Sequence, residues 1–258
     1  MVKKSKNFLA KAKSWTSKHK LHGPHAFRRF VMLVFVDRLN KHSNEFILKG
    51  GNLLWVYINT PRATIDLDFV TAKLSDHDSV RQALEGFCEF KHPDVTFSLL
   101  EFKPVEIKGQ KGASVTIRYI TQSGQENKID LDIVYALRSD FCEITSPIDD
   151  NEKIKAVTME NIIADKLAAA QAFKGGNTRM KDYDDLWRIA QFTPETIDWL
   201  KLKGILEERT IAPSLSEKWI NDQMLGSWKA HLRRNKGLPK YLEELFSQIN
   251  NWLRLNLK

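Results

Sequence analysis

The stretch from Lys49 to Phe69, KGGNLLWVYINTPRATIDLDF, is informative about both fold and function. It starts with a lysine and two glycines, continues with an apolar run, and ends with two aspartates that flank a single leucine. The preceding residues, NEFIL, predict a short core strand that the glycines end, and NLLWVYI predicts the helix that follows. The period-two alternation of ATIDLDFV predicts a second strand. We therefore expect a strand, a helix and another strand in immediate succession.

The two aspartates share one face of the predicted second strand. Residues two apart in a strand point the same way, which places the backbones of Asp66 and Asp68 about 6 to 7 Å apart. At about 6 Å and an effective dielectric constant of about 20, their carboxylates repel each other by roughly 3 kcal/mol. A divalent cation removes this repulsion, and carboxylates that hold such cations commonly bind nucleoside triphosphates. A solvated strand face is the alternative for an isolated Asp-x-Asp.

A third carboxylate is available in the segment KIDLDIVY. Asp130 and Asp132 share one face of another predicted strand, and either can point towards the first pair. We favour Asp132, which gives Asp66, Asp68 and Asp132 as the predicted metal ligands.

The paired glycines strengthen the prediction of a nucleotide site. Gly50 and Gly51 precede a predicted helix, where a backbone without side chains lets phosphate oxygens approach N–H groups and the positive end of the helix dipole. A plain turn is the alternative for Gly-Gly alone. Next to an Asp-x-Asp strand, however, the glycines favour phosphate binding.

Hydrophobic patterns along the chain predict an α+β protein with three regions. The segment HAFRRFVMLVFVDRLNKH has helical spacing, and DSVRQALEGFCEF predicts another helix. The closely spaced segments DVTFSLLEF, ASVTIRYIT and NKIDLDIVYA predict antiparallel hairpins, and the remainder after about Thr158 is largely helical in pattern. We divide the chain into a basic N-terminal arm at 1–22, a core at 23–150 and a mainly helical domain at 151–258.

Charge and composition restrict the class of protein. Forty Lys and Arg against 32 Asp and Glu give a net charge of +8, which is compatible with a polyanionic partner. The first twenty residues carry seven lysines and no acid, a pattern typical of a solvated arm or of nucleic-acid contact. Two distant cysteines give no support for a disulfide framework or a zinc site. No apolar run approaches the roughly 18 to 20 residues that span a bilayer, so we expect no membrane association and a cytoplasmic location.

Three motifs carry a resemblance to a known family. The opening stretch resembles the first motif of the nucleotidyltransferase superfamily, in the GG…R-x-[ST]-x-D-[IL]-D version of the AbiEii toxin family, which includes the MenT toxins. ENIIADKLAAA is similar to the family's helix E-x-[IL]-x-A-x-K-L-x-A, and RMKDYDDLW is similar to its R-x-[KR]-D-x-x-D-L. The residues that match the first motif are Gly50, Gly51, Arg62, Thr64, Asp66 and Asp68.

The resemblance implies a fold, a reaction and a biological role. It implies a nucleotidyltransferase-like mixed sheet core with a mainly helical C-terminal region. The reaction would transfer a nucleoside monophosphate from an NTP to an acceptor, with Mg²⁺ as cofactor and release of pyrophosphate. Family members act as toxins of toxin–antitoxin or phage-defence systems, and some extend tRNA 3′ ends. An RNA acceptor such as tRNA and a cognate antitoxin are therefore the expected partners.

The resemblance also implies roles for individual residues of the first motif. Asp66 and Asp68 would be catalytic and would hold Mg²⁺. Thr64 would cradle phosphates together with the two glycines, and Arg62 would contribute there.

The helical motifs supply a lysine and two aspartates. Lys166 lies beside apolar residues of its helix and could extend its ammonium group to a triphosphate, or be an ordinary surface lysine. Asp182 and Asp185 lie three apart, on one side of the next predicted helix. Asp182 could orient Lys166 or accept a proton, whereas Asp185 could pair with Arg188 or Arg179. Acids in a first helical turn also simply stabilise the helix dipole.

Two other functions remain open from the sequence. One is a nucleotidyltransferase that modifies a small molecule, such as an antibiotic or a metabolite. The other is a non-catalytic nucleic-acid-binding protein in which the basic arm binds and the aspartates are vestigial.

Overall fold

The structure, a computed structural model, describes residues 8–59, 64–107, 109–135, 140–192 and 197–258. These residues form two compact units. Unit 1 contains the described residues of 8–56 and 64–157, and unit 2 contains those of 57–59 and 158–258.

Unit 1 contains a seven-stranded mixed sheet in its described residues. The strands are β1 (Phe46–Lys49), β2 (Asp66–Thr71), β3 (Val95–Ile107), β4 (Gln110–Thr121), β5 (Glu126–Val134), β6 (Phe141–Thr145) and β7 (Lys153–Val157), and the helices are α1 (Phe8–Lys18), α2 (Pro24–His42), α3 (Gly50–Ile58) and α4 (His77–Glu89). The strand order is β3-β4-β5-β2-β1-β7-β6. The predicted succession of strand, helix and strand is therefore present as β1, α3 and β2.

The sheet register brings the aspartates of two strands together. Strand β2 pairs antiparallel with β1 and parallel with β5. In this register Asp68 lies opposite Asp132 of β5, and Asp66 lies opposite Asp130. Leu67 is fully buried, whereas Asp66 and Asp68 are half-buried, as the alternating sequence predicts.

Helix α2 is largely buried within unit 1. Val31, Met32, Leu33 and Phe35 are all fully buried, and this run of positions covers more than one face of a helix. A helix that is apolar on most sides must be enclosed by other elements, and the helix predicted from the spacing of its apolar residues is present.

The basic N-terminal segment differs from the expected solvated arm. Residues 8–18 form α1, and Phe8, Ala12 and Trp15 of this helix are buried. The ring centroids of Phe8 and Phe30 lie 5.3 Å apart, and Trp15 Nε1 donates to the carbonyl of Pro147 at 2.7 Å. Apolar residues at helical spacing interrupt the lysines, so one face of α1 packs on the core while the charges stay in water. The first lysines of the segment lie outside the described residues.

Two strands of unit 1 were not predicted from the sequence. Strands β6 and β7 pair antiparallel, and β7 pairs parallel with β1 through Leu48 and Ala156. Both strands have five residues, and β6 alternates between exposed and half-buried positions, so neither contains a long apolar run. The sheet therefore continues past residue 150, where the sequence suggested a boundary, and helical structure begins at Met159.

Unit 2 is helical. Its helices are α5 (Met159–Phe173), α6 (Met180–Phe192), α7 (Trp199–Glu208), α8 (Asp222–Leu232) and α9 (Leu242–Asn256), with short 3-10 helices at Lys174–Gly176 and Glu217–Trp219. Thr158 caps α5, Asp198 caps α7 and Asn221 caps α8, each by accepting a backbone N–H with its side chain. The predicted fold class, a mixed sheet core with a mainly helical C-terminal region, is confirmed. Across the described ranges, no helix is both long and apolar enough to cross a membrane.

Candidate active site

The turn between β1 and α3 depends on a glycine. Gly50 has a φ of +74°, a backbone conformation that side-chain-bearing residues rarely adopt. A Cβ at this position would lie 1.8 Å from Asp68 Oδ2 and 2.5 Å from Asp68 Cγ. Gly50 therefore does more than form a turn, because it leaves the space that the Asp68 carboxylate occupies beside the start of α3.

Replacing Gly50 with alanine should destabilise unit 1 more than the same substitution at a glycine that has a left-handed backbone but open space around it. The left-handed backbone costs about 1–2 kcal/mol for a residue with a Cβ, and overpacking against Asp68 adds about 1–3 kcal/mol. Urea unfolding measures the loss.

Gly124 provides the matched control for this substitution. It also belongs to unit 1, its φ is +80°, and nothing lies within 4 Å of a Cβ built there. Gly124→Ala should therefore show only the backbone cost. Equal shifts of the urea midpoint for the two variants would contradict the close approach of Gly50 and Asp68.

Two buried polar atoms beside the aspartates have no hydrogen-bond partner in the part of the chain that the structure describes. Asn52 lies in the first turn of α3, where its Nδ2 donates to the backbone carbonyl of Asp66 at 2.6 Å while its Oδ1 is unpaired. Thr64 Oγ1 is also buried and unpaired. Unpaired buried polar atoms are costly, and both are available to hydrogen-bond a bound nucleotide or its hydrated metal. We call this region the glycine–aspartate site, made by Gly50, Gly51, Asn52, Thr64, Asp66, Asp68 and Asp132.

The two candidates for the third carboxylate have different surroundings. Asp130 accepts a hydrogen bond from Thr116 Oγ1 at 3.2 Å, and its Oδ2 lies 3.8 Å from Arg28 Nη2. Its side chain is 60% exposed. Asp132 lies opposite Asp68 and, among the described residues, has no ion pair or side-chain hydrogen bond. These surroundings favour Asp132 over Asp130 for a role beside Asp68.

Whether this site fits a metal ion depends on whether all ligands must come from the protein or some can come from substrate phosphates and water. Within the described ranges, no group of three or more His, Cys, Asp or Glu side chains is arranged to hold a metal ion. Mg²⁺, however, is usually bound by one or two carboxylates together with substrate phosphates and water, and not by a cage of protein ligands. Asp66 and Asp68, next to the unpaired oxygens of Asn52 and Thr64, fit that mode of binding.

The lysine and aspartates predicted from the helical motifs come together in unit 2. Lys166 Nζ of α5 lies 2.6 Å from Asp185 Oδ2 and 3.4 Å from Asp182 Oδ1, both on α6. The lysine side chain is 16% exposed and that of Asp185 is 1% exposed. Arg179 Nε lies 3.5 Å from Asp182 Oδ2. We call these four residues the lysine–aspartate cluster.

This arrangement changes the roles suggested for the two aspartates. Asp182 contacts Lys166 and Arg179, which agrees with an orienting role. Asp185, expected to pair with an arginine, makes the shorter contact with Lys166. Its suggested partner Arg188 is bound to Asp184 instead, because residues four apart face each other on a helix.

Buried hydrogen bonds fix the start of α6, which carries these aspartates. Asn177 Oδ1 accepts the backbone N–H of Arg179 at 2.8 Å, and Asn177 Nδ2 donates to Tyr183 Oη at 3.1 Å. Burial raises the pKa of Tyr183 to about 12, so its hydroxyl stays protonated at neutral pH.

Two polar groups near these sites, Asn52 and Asp184, were not predicted from the sequence. Asn52 had a local signal, since it is a polar residue in the first turn of an apolar helix. Asp184 is fully buried, with Oδ1 2.5 Å from Arg188 Nε, four residues along the same helix, and Oδ2 2.8 Å from His231 Nε2. The spacing of four residues favours the pair with Arg188, but His231 is distant in the sequence, so no local pattern predicts the contact of Asp184 with His231. Arg62 lies outside the described residues.

Comparisons with known proteins give a family from a family model and a similar fold from two solved structures. The model of the family "Nucleotidyl transferase AbiEii toxin, Type IV TA system" matches residues 34–246. A crystal structure described as that of a nucleotidyltransferase from H. pylori is similar, with a TM-score of 0.54 and 19% identity over 88% of this chain and 93% of that chain. JHP933 from Helicobacter pylori is similar with a TM-score of 0.53 and 18% identity, over 88% of this chain and 90% of that one. Among curated proteins, none matches the chain.

Proposed function

The chain belongs to the nucleotidyl transferase AbiEii toxin family, and on this premise we propose that it transfers a nucleoside monophosphate from an NTP to an RNA acceptor such as tRNA. The resemblance found in the sequence motifs and the enzyme class, nucleotidyltransferase, are both confirmed. Membership of a toxin–antitoxin family also implies an antitoxin partner.

The close approach of Gly50 and Asp68 is the observation that best supports this proposal. A glycine at the start of a helix, with no side chain, leaves backbone N–H groups open to phosphate oxygens. The same glycine leaves room for Asp68 within contact distance of that helix start. Phosphate and a carboxylate-bound cation would then meet at one place, which is what a nucleoside triphosphate complex needs.

Each part of the glycine–aspartate site has a role in the proposed reaction. Asp66 and Asp68 would hold Mg²⁺, with Asp132 on the neighbouring strand as the third carboxylate. When bound, Mg²⁺ would supply positive charge to the phosphate oxygens at which negative charge develops. Gly50, Gly51 and Thr64 would bind phosphate oxygens.

The transfer step itself is a displacement at the α-phosphorus. The acceptor hydroxyl oxygen forms a bond to the α-phosphorus and loses its proton to solvent. The bond from the α-phosphorus to the oxygen that bridges to the β-phosphorus breaks, and pyrophosphate leaves with the electron pair. Lys166 would neutralise charge on the transferring or leaving phosphate, with its ammonium oriented by Asp182 and Asp185.

Two features support an RNA acceptor and a toxin role. The net charge of +8 favours a polyanion over a small neutral acceptor. The family description names a toxin of a type IV toxin–antitoxin system. We infer that the transfer disables an RNA of the cell, in a toxin–antitoxin or phage-defence system in the cytoplasm.

Incubation of the protein with each α-labelled NTP, Mg²⁺ and total tRNA tests this function directly. We expect label in RNA from at least one NTP, no label after chelation with EDTA, and recovery when Mg²⁺ is restored. Label in a small hydroxyl compound with none in RNA would contradict the RNA acceptor and leave the transferase chemistry intact. Label in neither, with metal and all four NTPs present, would contradict the proposal.

A further inference from the structure

A basic groove lies within unit 2. It has a volume of about 440 Å³, and its lining comes from the start of α6, from α8 and from the turn that follows α8. Its cationic side chains are Arg179, Lys181, Arg233 and Arg234, all of them exposed. The rest of the lining contains no carboxylate. We call this feature the basic groove.

Most of these cationic side chains have no carboxylate partner among the described residues. Arg179 lies 3.5 Å from Asp182, but Lys181, Arg233 and Arg234 form no ion pair with any residue that the structure describes. Cations of one sign around a concave surface reinforce one another's potential and attract anions. The groove therefore favours a ligand with several negative charges.

A buried network holds the two sides of the groove together. Asp184 Oδ2 of α6 lies 2.8 Å from His231 Nε2 of α8. The Trp228 ring stacks on the His231 ring, with the two ring centroids 5.5 Å apart. Asp184 also pairs with Arg188, whose Nη2 donates to the Lys236 carbonyl at 3.4 Å. These contacts fix the turn after α8, which carries two of the cationic side chains, against the start of α6. Since Arg188 neutralises Asp184, the buried acid does not offset the charge of the groove.

The residues that line the groove suit the phosphates of an RNA backbone better than a nucleotide base. The three arginines of the lining present planar guanidinium groups that match phosphate oxygens, and the hydroxyls of Thr178 and Ser227 add neutral groups that can donate hydrogen bonds. Bases stack on aromatic rings or on guanidinium planes, and His231, the one aromatic ring among the described lining residues, is already stacked on Trp228. The cations and hydroxyls of the lining therefore suit phosphates better than they suit a base.

We propose that the basic groove binds the phosphodiester backbone of the RNA acceptor. This inference rests on the proposed function for the identity of the RNA as acceptor. The groove would position the RNA through its phosphates and contribute little sequence preference, because phosphate contacts carry no base information.

The double variant Arg233→Gln/Arg234→Gln tests the groove by direct binding. With 5′-labelled tRNA and no NTP, loss of two phosphate contacts should raise Kd roughly 20-fold at about 0.1 M salt. The slope of log Kd against log salt should fall by about 1.4. The control Lys203→Gln/Lys218→Gln removes the same charge from exposed positions of unit 2 outside the groove, and its Kd should change less than about threefold. Equal thermal midpoints confirm that both variants are folded.

Transfer kinetics separate this inference from the proposed function. We expect the groove variant to raise KM for tRNA and to leave KM for NTP unchanged. If the parent labels RNA but the groove variant matches it in both Kd and KM, the groove is excluded while the proposed function stands. If the groove variant binds tRNA more weakly, as predicted, but the parent labels no RNA, the groove binds RNA and the proposed acceptor is wrong. A rise in KM for NTP alone, or a parent that does not bind tRNA, overturns the inference.

Discussion

Replacing Asp68 with asparagine should lower the rate of nucleotidyl transfer about 10³-fold or more. Asparagine keeps the shape of the side chain beside Gly50 but removes the charge that would hold Mg²⁺. Electrostatic stabilisation by a bound metal contributes several kcal/mol to such reactions, and a loss of roughly 4 kcal/mol corresponds to about 10³ in rate. Incorporation of label from α-labelled NTP into tRNA measures the effect.

The stability of the variant distinguishes a catalytic loss from unfolding. Asp66, Asp68 and Asp132 repel one another across β2 and β5 when no cation is present. The Asp68→Asn substitution relieves part of this repulsion, and thermal unfolding of the variant and the parent shows whether the variant is folded under the assay conditions. Equal labelling by Asp68→Asn and the parent enzyme would show that the metal assignment is wrong.

Asp130→Asn is the matched control for this loss of charge. It removes the same charge from the same face of the neighbouring strand, but at a residue that contacts Arg28 and Thr116. Its transfer rate should stay within about threefold of the parent rate, whereas Asp132→Asn should lower the rate by more than that.

Expression in bacteria tests the same substitution in cells. We expect expression of the parent to arrest growth and Asp68→Asn to relieve the arrest.

The parts of this site that could be predicted from sequence are those set by neighbouring residues. Alternation along β2 places Asp66 and Asp68 on one face because the side-chain period of a strand is two. The paired glycines mark the turn into α3 because only glycine adopts the backbone conformation of Gly50 at low cost. Both inferences need no knowledge of the remaining fold.

The parts that could not be predicted depend on pairing between distant segments. Asp132 meets Asp68 only because β5 pairs parallel with β2, and no local pattern sets that register. Strand β7 belongs to the sheet through its pairing with β1, although its sequence, KIKAV, is short and carries two lysines. The basic groove likewise joins Arg179 and Arg233 through a network centred on the buried Asp184.

Replacing Lys166 with methionine should abolish transfer and also destabilise unit 2. The substitution keeps much of the side-chain volume but removes the ammonium that lies 2.6 Å from the buried carboxylate of Asp185. Breaking a buried ion pair by removing one partner typically costs about 3–5 kcal/mol, because the remaining charge loses its counterion in a poorly solvated place. Urea unfolding measures this cost. Lys203→Met, at an exposed position of α7, should change stability by less than about 0.5 kcal/mol.

The double variant Lys166→Met/Asp185→Asn separates the structural contribution of the lysine from the catalytic one. Removing the Asp185 carboxylate together with the ammonium should restore most of the lost stability, since residue 185 then carries no charge and Asp182 keeps its ion pair with Arg179. Transfer should remain abolished if Lys166 neutralises charge on the phosphates, because methionine cannot do so. If activity returns together with stability, the lysine–aspartate cluster is a structural ion pair and the phosphate role falls to other residues. If stability does not recover, Lys166 stabilises unit 2 through contacts other than its pairing with Asp185.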